Sequence, residues 1–330
     1  MDLSIVIVTW NGWSFTRECL ESLMRQENNL KTEIIVVDNA SADGTPDLIR
    51  KEFPHICLKM NASNDGFARA NNVGMLISQG KYISLINSDV WVPPNCLDRL
   101  VRFMEENPLI GIVGPKMIGG DGKAKRSCMR FPTLWSVFCR ALAVDTLFKK
   151  SKLFNGYMMR GFEHDRLMDV DVLNGWFWVV RREALELVGL LDEQFFMYGE
   201  DVDWCYRFRK AGWRVVFYPG AEAMHYGGGS SEKAAARFYV EKQRANAQCW
   251  MKHKRRSSLW IYLAIVWLHE LLRTLGYLSA YIFARSSRSN SKHKIYRSLA
   301  CLSSLAGGQY FVVGRQNDFK NGIQSSDTLS

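Results

Sequence analysis

The chain is expected to fold as an α/β domain on a mostly parallel sheet, with helices covering both faces. Two observations predict it. Through the first hundred residues, short apolar runs alternate with amphipathic stretches, the pattern of strands joined by crossover helices. The 330 residues, 47% hydrophobic and 23% charged, are also enough to bury a large core and too apolar for a disordered chain.

Taken in order, Leu3–Val8 is an apolar run and reads as the first strand. Thr16–Arg25 reads as a helix, with Cys19, Leu20, Leu23 and Met24 on one face. Ile34–Val37, Ile56–Met60 and Tyr82–Ile86 read as further strands, separated by helices over Thr45–Phe53 and Gly66–Gln79. In such sheets ligands bind beyond the carboxyl ends of the strands, so the residues following each strand are the candidates for chemistry. From about 110 to 235 the pattern is less regular. Strand-like segments appear at Val170–Leu173, Trp176–Val180 and Val215–Tyr218, and a polar helix starts near Glu200. From about Phe238 the chain becomes helical, basic and then apolar. The expected division is therefore 1–115, 116–236 and 237–330, with a frayed end around Gln324–Ser330.

The net charge of +10 resides in the last of these parts. Residues 1–236 hold 28 basic and 29 acidic side chains, whereas Arg237 to Arg297 hold 13 Lys/Arg against Glu241 and Glu270. A near-neutral front argues against a nucleic-acid binder, and basic residues flanking an apolar helix suit an anionic membrane surface. The eight cysteines are scattered, with no Cys-x-x-Cys pair, which points to a reduced cytoplasmic compartment without zinc ribbons or redox pairs. Met1–Val8 lacks a basic n-region and reads as a strand, not a signal peptide.

After the first strand comes Thr9-Trp10-Asn11-Gly12, not the Gly-x-Gly-x-x-Gly of a dinucleotide fold, and no P-loop is present. Thr9 and Asn11 are a plain turn or a hold on a nucleotide base. Asp38, ending the second strand, is equally a helix cap or a carboxylate for base or ribose. Asn64 to Asn72 opens a helix densely polar, and a helix N-terminus suits ribose and phosphate, with Arg69 adding charge. Asp89, in Asn87-Ser88-Asp89, is a turn residue or an oxygen ligand for a hard cation. Glu200, Asp201 and Asp203 crowd one helical turn beside Phe195, Phe196 and Tyr198, a setting for a general base or simply dipole-stabilising charges. Asp203 and Arg207 at i,i+4 read as a surface pair. His225, before a glycine-rich turn, is structural or a ligand for metal or diphosphate.

Together these segments resemble the inverting glycosyltransferases of family 2, which have the GT-A fold, and especially the bacterial rhamnosyltransferases of cell-surface polysaccharide assembly. The likeness covers about residues 1–230 and rests on five segments in the family order, among them Asn64-Asp65-Gly66-Phe67-Ala68 and Phe195 to Asp203. It implies that Thr9, Asn11 and Asp38 hold the base, and that Asn64, Gly66, Arg69 and Asn72 hold the ribose and diphosphate. Asp89 would bind Mg²⁺ or Mn²⁺ with His225, and Asp201 would deprotonate the acceptor hydroxyl. Trp176, Trp178 and Glu200 would lie on the acceptor side, although both tryptophans also read as core. The implied donor is dTDP-L-rhamnose, with a UDP-sugar second, and the implied acceptor is a lipid-linked saccharide. One departure stands out: Asn87-Ser88-Asp89 replaces the Asp-x-Asp of many relatives, leaving one carboxylate for the metal.

The tail carries an apolar stretch, Ser258–Ala284, with His269, Glu270 and Arg273 in its middle. Its unbroken run Leu259–Leu268 falls short of the roughly 20 residues a spanning helix needs. The expectation is an interfacial helix at the inner face of the membrane, or one packed on a partner. The alternative is a helix buried against its own domain or in a dimer, which would make a homo-oligomer through the tail.

Overall fold

The structure, a computed structural model, describes residues 1–26, 30–151, 153–227, 235–283 and 288–307. The turn at Gly228–Ser230, the residues Ala284 and Arg285, and the end at Gln324–Ser330 lie outside the described residues.

The predicted alternation is what forms. β1 (Leu3–Thr9), α1 (Trp13–Met24), β2 (Thr32–Asp38), α2 (Thr45–Glu52), β3 (Cys57–Met60), α3 (Phe67–Ile77) and β4 (Tyr82–Asn87) follow in order. β1 lies between β2 and β4, parallel to both, and β3 extends the parallel set beyond β2. Alternation along β1 explains the two faces. Leu3, Ile5 and Ile7 pack under α1 and α4 (Cys96–Glu106), while Val6 packs on the opposite side against α3.

Beyond β4 the sheet becomes mixed. β5 (Val90–Trp91) and β6 (Ile110–Gly119) are followed by the short β7 (Ala124–Lys125) and β8 (Cys128–Met129). Next come α5 (Leu134–Ala141), α6 (Val144–Leu147), β9 (Met168–Asp169) and β10 (Val172–Leu173). β11 (Phe177–Arg181) inserts antiparallel between β4 and β6. α7 (Arg182–Val188) and α8 (Glu200–Lys210) lead to β12 (Arg214–His225), parallel to β6. The resulting order is β3-β2-β1-β4-β11-β6-β12-β5. The expected boundary at 115/116 falls inside β6, so the first two parts share one sheet.

β12 is longer than the Val215–Tyr218 read from the sequence. Pro219-Gly220 interrupts the ladder at a register shift, and pairing resumes from Glu222 to His225. That second half also pairs with β5, His225 opposite Val90.

The C-terminal part is α9 (Ala235–His253), α10 (Arg256–Phe283) and α11 (Arg288–Ala306). They form their own apolar cluster, in which Trp250, Leu259, Tyr262, Leu263 and Val266 meet Leu134 and Val137 of α5. α10 is long and apolar enough to cross a membrane by length and composition. Its polar stripe nevertheless points inward. Glu270 is fully buried and accepts a hydrogen bond from the Tyr239 hydroxyl. Arg273 donates to the hydroxyls of Tyr239 (3.1 Å) and Tyr277 (2.9 Å), and His269 Nδ1 lies 3.4 Å from the Ala141 carbonyl. The alternative reading thus holds for this stripe, because three polar groups find partners inside the chain. The opposite face is apolar and open: Trp260, Ile261, Trp267, Leu272, Leu275 and Ile282 are all exposed. All eight cysteines are free, and seven of them are buried.

Candidate active site

Three strand ends meet side by side. Thr9 stands opposite Asp38, and Val8 opposite Asn87, so the parallel register alone brings the polar residues after β1, β2 and β4 to one edge. There a cavity of about 1640 Å³ opens. It exceeds the usual range of roughly 300–1,000 Å³ for a single small-ligand site and leaves room for two substrates.

On the strand-end side the wall includes Thr9, Asn11, Asn39, Asn64 and Gly66. Asn11 adopts a left-handed backbone (φ 49°), and its side-chain oxygen accepts from the Ala42 N–H at 2.7 Å. Thr9 is buried with its hydroxyl 2.7 Å from that of Thr16, so only its position, not its hydroxyl, serves the cavity. Asn39, which sequence reasoning missed, organises this wall. Its amide donates to Asn64 Oδ1 (3.0 Å) and the Gly66 carbonyl (3.1 Å) and accepts from Asn61 (2.9 Å). Gly66 has φ +87°, and a Cβ there would lie 2.3 Å from the Phe196 carbonyl oxygen. That approach lets the Phe67 N–H bond the same oxygen at 2.7 Å, tying the start of α3 to the loop before α8.

Four of the expected residues stand elsewhere. Asp38 is fully buried beneath the wall: one oxygen accepts from the Ser41 N–H at 2.9 Å and the other finds no partner among the described residues. Arg69 sits between Asp65 and Glu193, 3.8 Å from each. Asn72 is a correction. It is buried and spends its amide on the Leu191 backbone and Glu193, so it anchors α3 to the following segment. Trp178 is the second correction, since it is fully buried against Trp204 with its indole N–H on the Leu173 carbonyl, leaving no face for a sugar.

Across the cavity, β12 delivers His225 to Asp89. His225 Nε2 lies 3.0 Å from Asp89 Oδ1, and Trp176 stacks on the imidazole at 5.6 Å. Beside them, the buried side-chain oxygen of Asn87 has no hydrogen-bond partner among the described residues. Mg²⁺ and Mn²⁺ favour oxygen, keep several waters and take substrate phosphates, so one carboxylate and one imidazole in the cavity wall would fit such an ion. Among the described residues no group of three or more His, Cys, Asp or Glu gathers, so the other ligands would be phosphate and water.

Asp201 lies in the cavity wall next to Gly175 and Trp176. Two successive left-handed residues, Tyr198 (φ 67°) and Gly199 (φ 80°), turn the chain sharply into α8 and aim its first turn at the cavity. Gly199 is required on two counts, since a Cβ there would also press 3.1 Å from Ala245 and Phe195. Burial pushes both Glu200 and Asp201 upward, Glu200 well above its ordinary value because the Asp201 charge adds to its desolvation. Asp201 is eased by the Val202 and Gly175 N–H groups and by the Lys242 charge. Those N–H groups and the Lys242 charge favour the ionised form of Asp201, the form able to accept a proton. Asp203 is not the surface pair its spacing suggests. It is fully buried and faces Arg207, Lys252 and His253.

The cavity also reaches the tail: Lys242, Gln243, Tyr262, His269 and Arg273 line it together with Arg126 and Arg140. The basic count of the tail was the only signal in the sequence, and it did not place these groups beside Asp201.

This architecture is that of the GT-A glycosyltransferases. A mannosyltransferase of Pyrobaculum calidifontis, solved in complex with GDP-Man and Mn²⁺, superposes with a TM-score of 0.55 at 17% identity, covering 92% of this chain and 86% of its own. GalNAc-T7 with UDP, GalNAc and Mn²⁺ gives 0.52 at 15% identity, over 76% of this chain and 51% of its own. The chain belongs to glycosyl transferase family 2, whose family model matches residues 4–188. Among relatives, an N-acetylglucosaminyl-diphospho-decaprenol L-rhamnosyltransferase of Mycobacterium tuberculosis is 27% identical over 88% of this chain and 96% of its own. A low-salt glycan biosynthesis hexosyltransferase of Haloferax volcanii is 24% identical over 68% and 67%.

Proposed function

We propose that this glycosyltransferase moves L-rhamnose from dTDP-L-rhamnose to a lipid-linked saccharide, with inversion, at the cytoplasmic face of a membrane. The observation that carries the reading is the placement of Asp201 in the same cavity as the Asp89–His225 pair. The similarity to a lipid-linked rhamnosyltransferase over nearly its whole length supports the sugar and acceptor.

The nucleotide lies along the strand ends, with its diphosphate toward Asp89 and His225. Trp176, pinned by its stack on His225, closes the floor between donor and acceptor. Asp201 takes the proton of the acceptor hydroxyl as that oxygen attacks the anomeric carbon from the face opposite the nucleotide. A divalent cation held by Asp89 and His225 would offset charge developing on the departing diphosphate. Glu200 lies beside Asp201 on the acceptor side, where burial favours its protonated form, the form that donates to a sugar oxygen.

Ligand-observed NMR with dTDP-L-rhamnose and UDP-sugars tests the donor. The expected result is preferential binding of the dTDP-sugar, strengthened by Mn²⁺ in the wild type but not in Asp89→Ala. A clear UDP preference would overturn the donor, and Mn²⁺ strengthening that survives in Asp89→Ala would overturn the metal site.

The exposed apolar face of α10, preceded by the basic residues Lys254, Arg255 and Arg256, supports peripheral membrane attachment. Cell membranes should lose much of the protein on a carbonate wash. Retention in the carbonate pellet would mean a true span, and a protein fully soluble at low salt would mean no membrane role.

A further inference from the structure

The cavity does not end at the catalytic turn. Beyond Asp201 it continues between α5, the segment around Tyr157 and the helices α9 and α10, and its wall there is cationic. Arg126 and Arg140 come from the β8–α5 side, and Lys242 comes from α9. Among the described residues none of the three makes an ion pair, whereas nearby Arg160 is neutralised by Asp145 at 2.9 Å. Arg140 donates to the Met158 sulfur at 2.8 Å and lies over the Tyr157 ring at 5.6 Å. Lys242 lies over the Tyr198 ring, also at 5.6 Å.

These charges act on one another. Burial lowers the pKa of Arg126, and the charges of Arg160 and Arg140 add to that effect. Burial also lowers the pKa of Lys242; Asp201 resists this and Arg140 reinforces it. Asp201 and Asp145 act on these like charges without pairing to any of the three, and the surplus of positive charge in a partly enclosed space creates a field for an anion. Their position tells which anion. Lys242 and Asp201, the proposed base, act on each other, and Lys242 and Arg140 come from α9 and α5, away from the strand ends that carry Asp89 and His225. The cluster is therefore on the acceptor's side. α10, whose outer face is apolar and exposed, packs on α5, the helix that carries Arg140.

We propose that Arg126, Arg140 and Lys242 form a subsite for the diphosphate that joins the acceptor sugar to its lipid. The assignment rests on the lipid-linked acceptor inferred above and adds the residues that would recognise it. Guanidinium groups suit the two non-bridging faces of a diphosphate, and an ammonium supplies a mobile third charge. Held there, the carrier anchors its sugar within reach of Asp201 while its hydrocarbon leaves beside the apolar face of α10.

The test uses farnesyl diphosphate as probe and the full chain saturated with dTDP and Mn²⁺, so that the donor site is filled. Calorimetry should show binding of farnesyl diphosphate, weaker binding of farnesyl monophosphate and none of farnesol. Arg140→Gln and Lys242→Gln should each weaken the diphosphate by about 10- to 100-fold, the cost of losing a charge-assisted contact. Arg140→Lys should keep much of the affinity, and dTDP affinity should be unchanged in all variants that melt like the wild type. Equal binding of farnesol, or wild-type affinity in the double glutamine variant, would overturn the subsite. Parallel loss of dTDP affinity would also overturn it, by assigning the cluster to the donor. Failure of the wild type to bind dTDP would instead strike the donor proposed above, and farnesyl diphosphate would then be titrated with UDP filling the donor site.

Discussion

Asp201→Asn is expected to leave the fold and nucleotide binding intact while lowering transfer by about 10²–10⁴-fold, the reach of a positioned general base. The substitution keeps the size of the side chain and an oxygen for the Val202 N–H, which bonds Asp201 at 2.8 Å. What it removes is the acceptor for the substrate proton. Glu200 cannot stand in, because its burial favours the protonated form. Single-turnover measurement with saturating donor reads the chemical step directly. Wild-type rates in the purified variant would end the assignment. A loss confined to donor affinity would place Asp201 in binding instead.

Asp203→Ala is expected to cost about 3–5 kcal/mol of stability, the range for breaking a buried charge network by removing one member. The Asp203 carboxylate is fully buried, with Lys252 and His253 each 2.6 Å from one oxygen and Arg207 2.9 Å from the other. Its loss leaves Arg207 without this carboxylate, Lys252 with Asp192 alone and His253 without this hydrogen-bond partner, and it uncouples α8 from the end of α9. Burial alone would raise this carboxyl, but the His253 and Lys252 hydrogen bonds and the Arg207 charge bring it down to about 2. A depressed folded-state value sets the sign. The stabilisation is complete above the ordinary carboxylate range and is lost as pH falls through that range toward about 2. Urea denaturation of wild type and variant across that window should therefore converge at low pH. A difference below about 1 kcal/mol at neutral pH, the size of a surface pair, would sink the account of this network.

Much of the donor side was legible because strand ends obey a period and a register. Once Leu3–Val8 and Tyr82–Ile86 are read as neighbouring parallel strands, their following residues must come out at one edge. The Asp89–His225 pair was half legible. Asp89 follows a strand, but His225 reaches it only because β12 resumes pairing past Pro219-Gly220, where a sequence reading stops the strand. The two tryptophans could not be separated from sequence, since their spacing of two would place both on one face of a continuous strand. β11 begins at Phe177, so Trp176 lies outside the alternation and reaches the cavity while Trp178 enters the core. The acceptor side was least legible. Arg140 and Lys242 are brought together by α9 and α10 packing on α5, a tertiary outcome that local pattern does not encode.

The most direct measurement is the anomeric configuration of the product. Purified protein with Mn²⁺, the sugar nucleotide that binds best and a short-chain prenyl-diphospho-sugar acceptor would be followed by NMR. A single base opposite the leaving group predicts transfer with inversion at the anomeric carbon, abolished or nearly so in Asp201→Asn. Retention of configuration, or inversion at the wild-type rate in that variant, would contradict it.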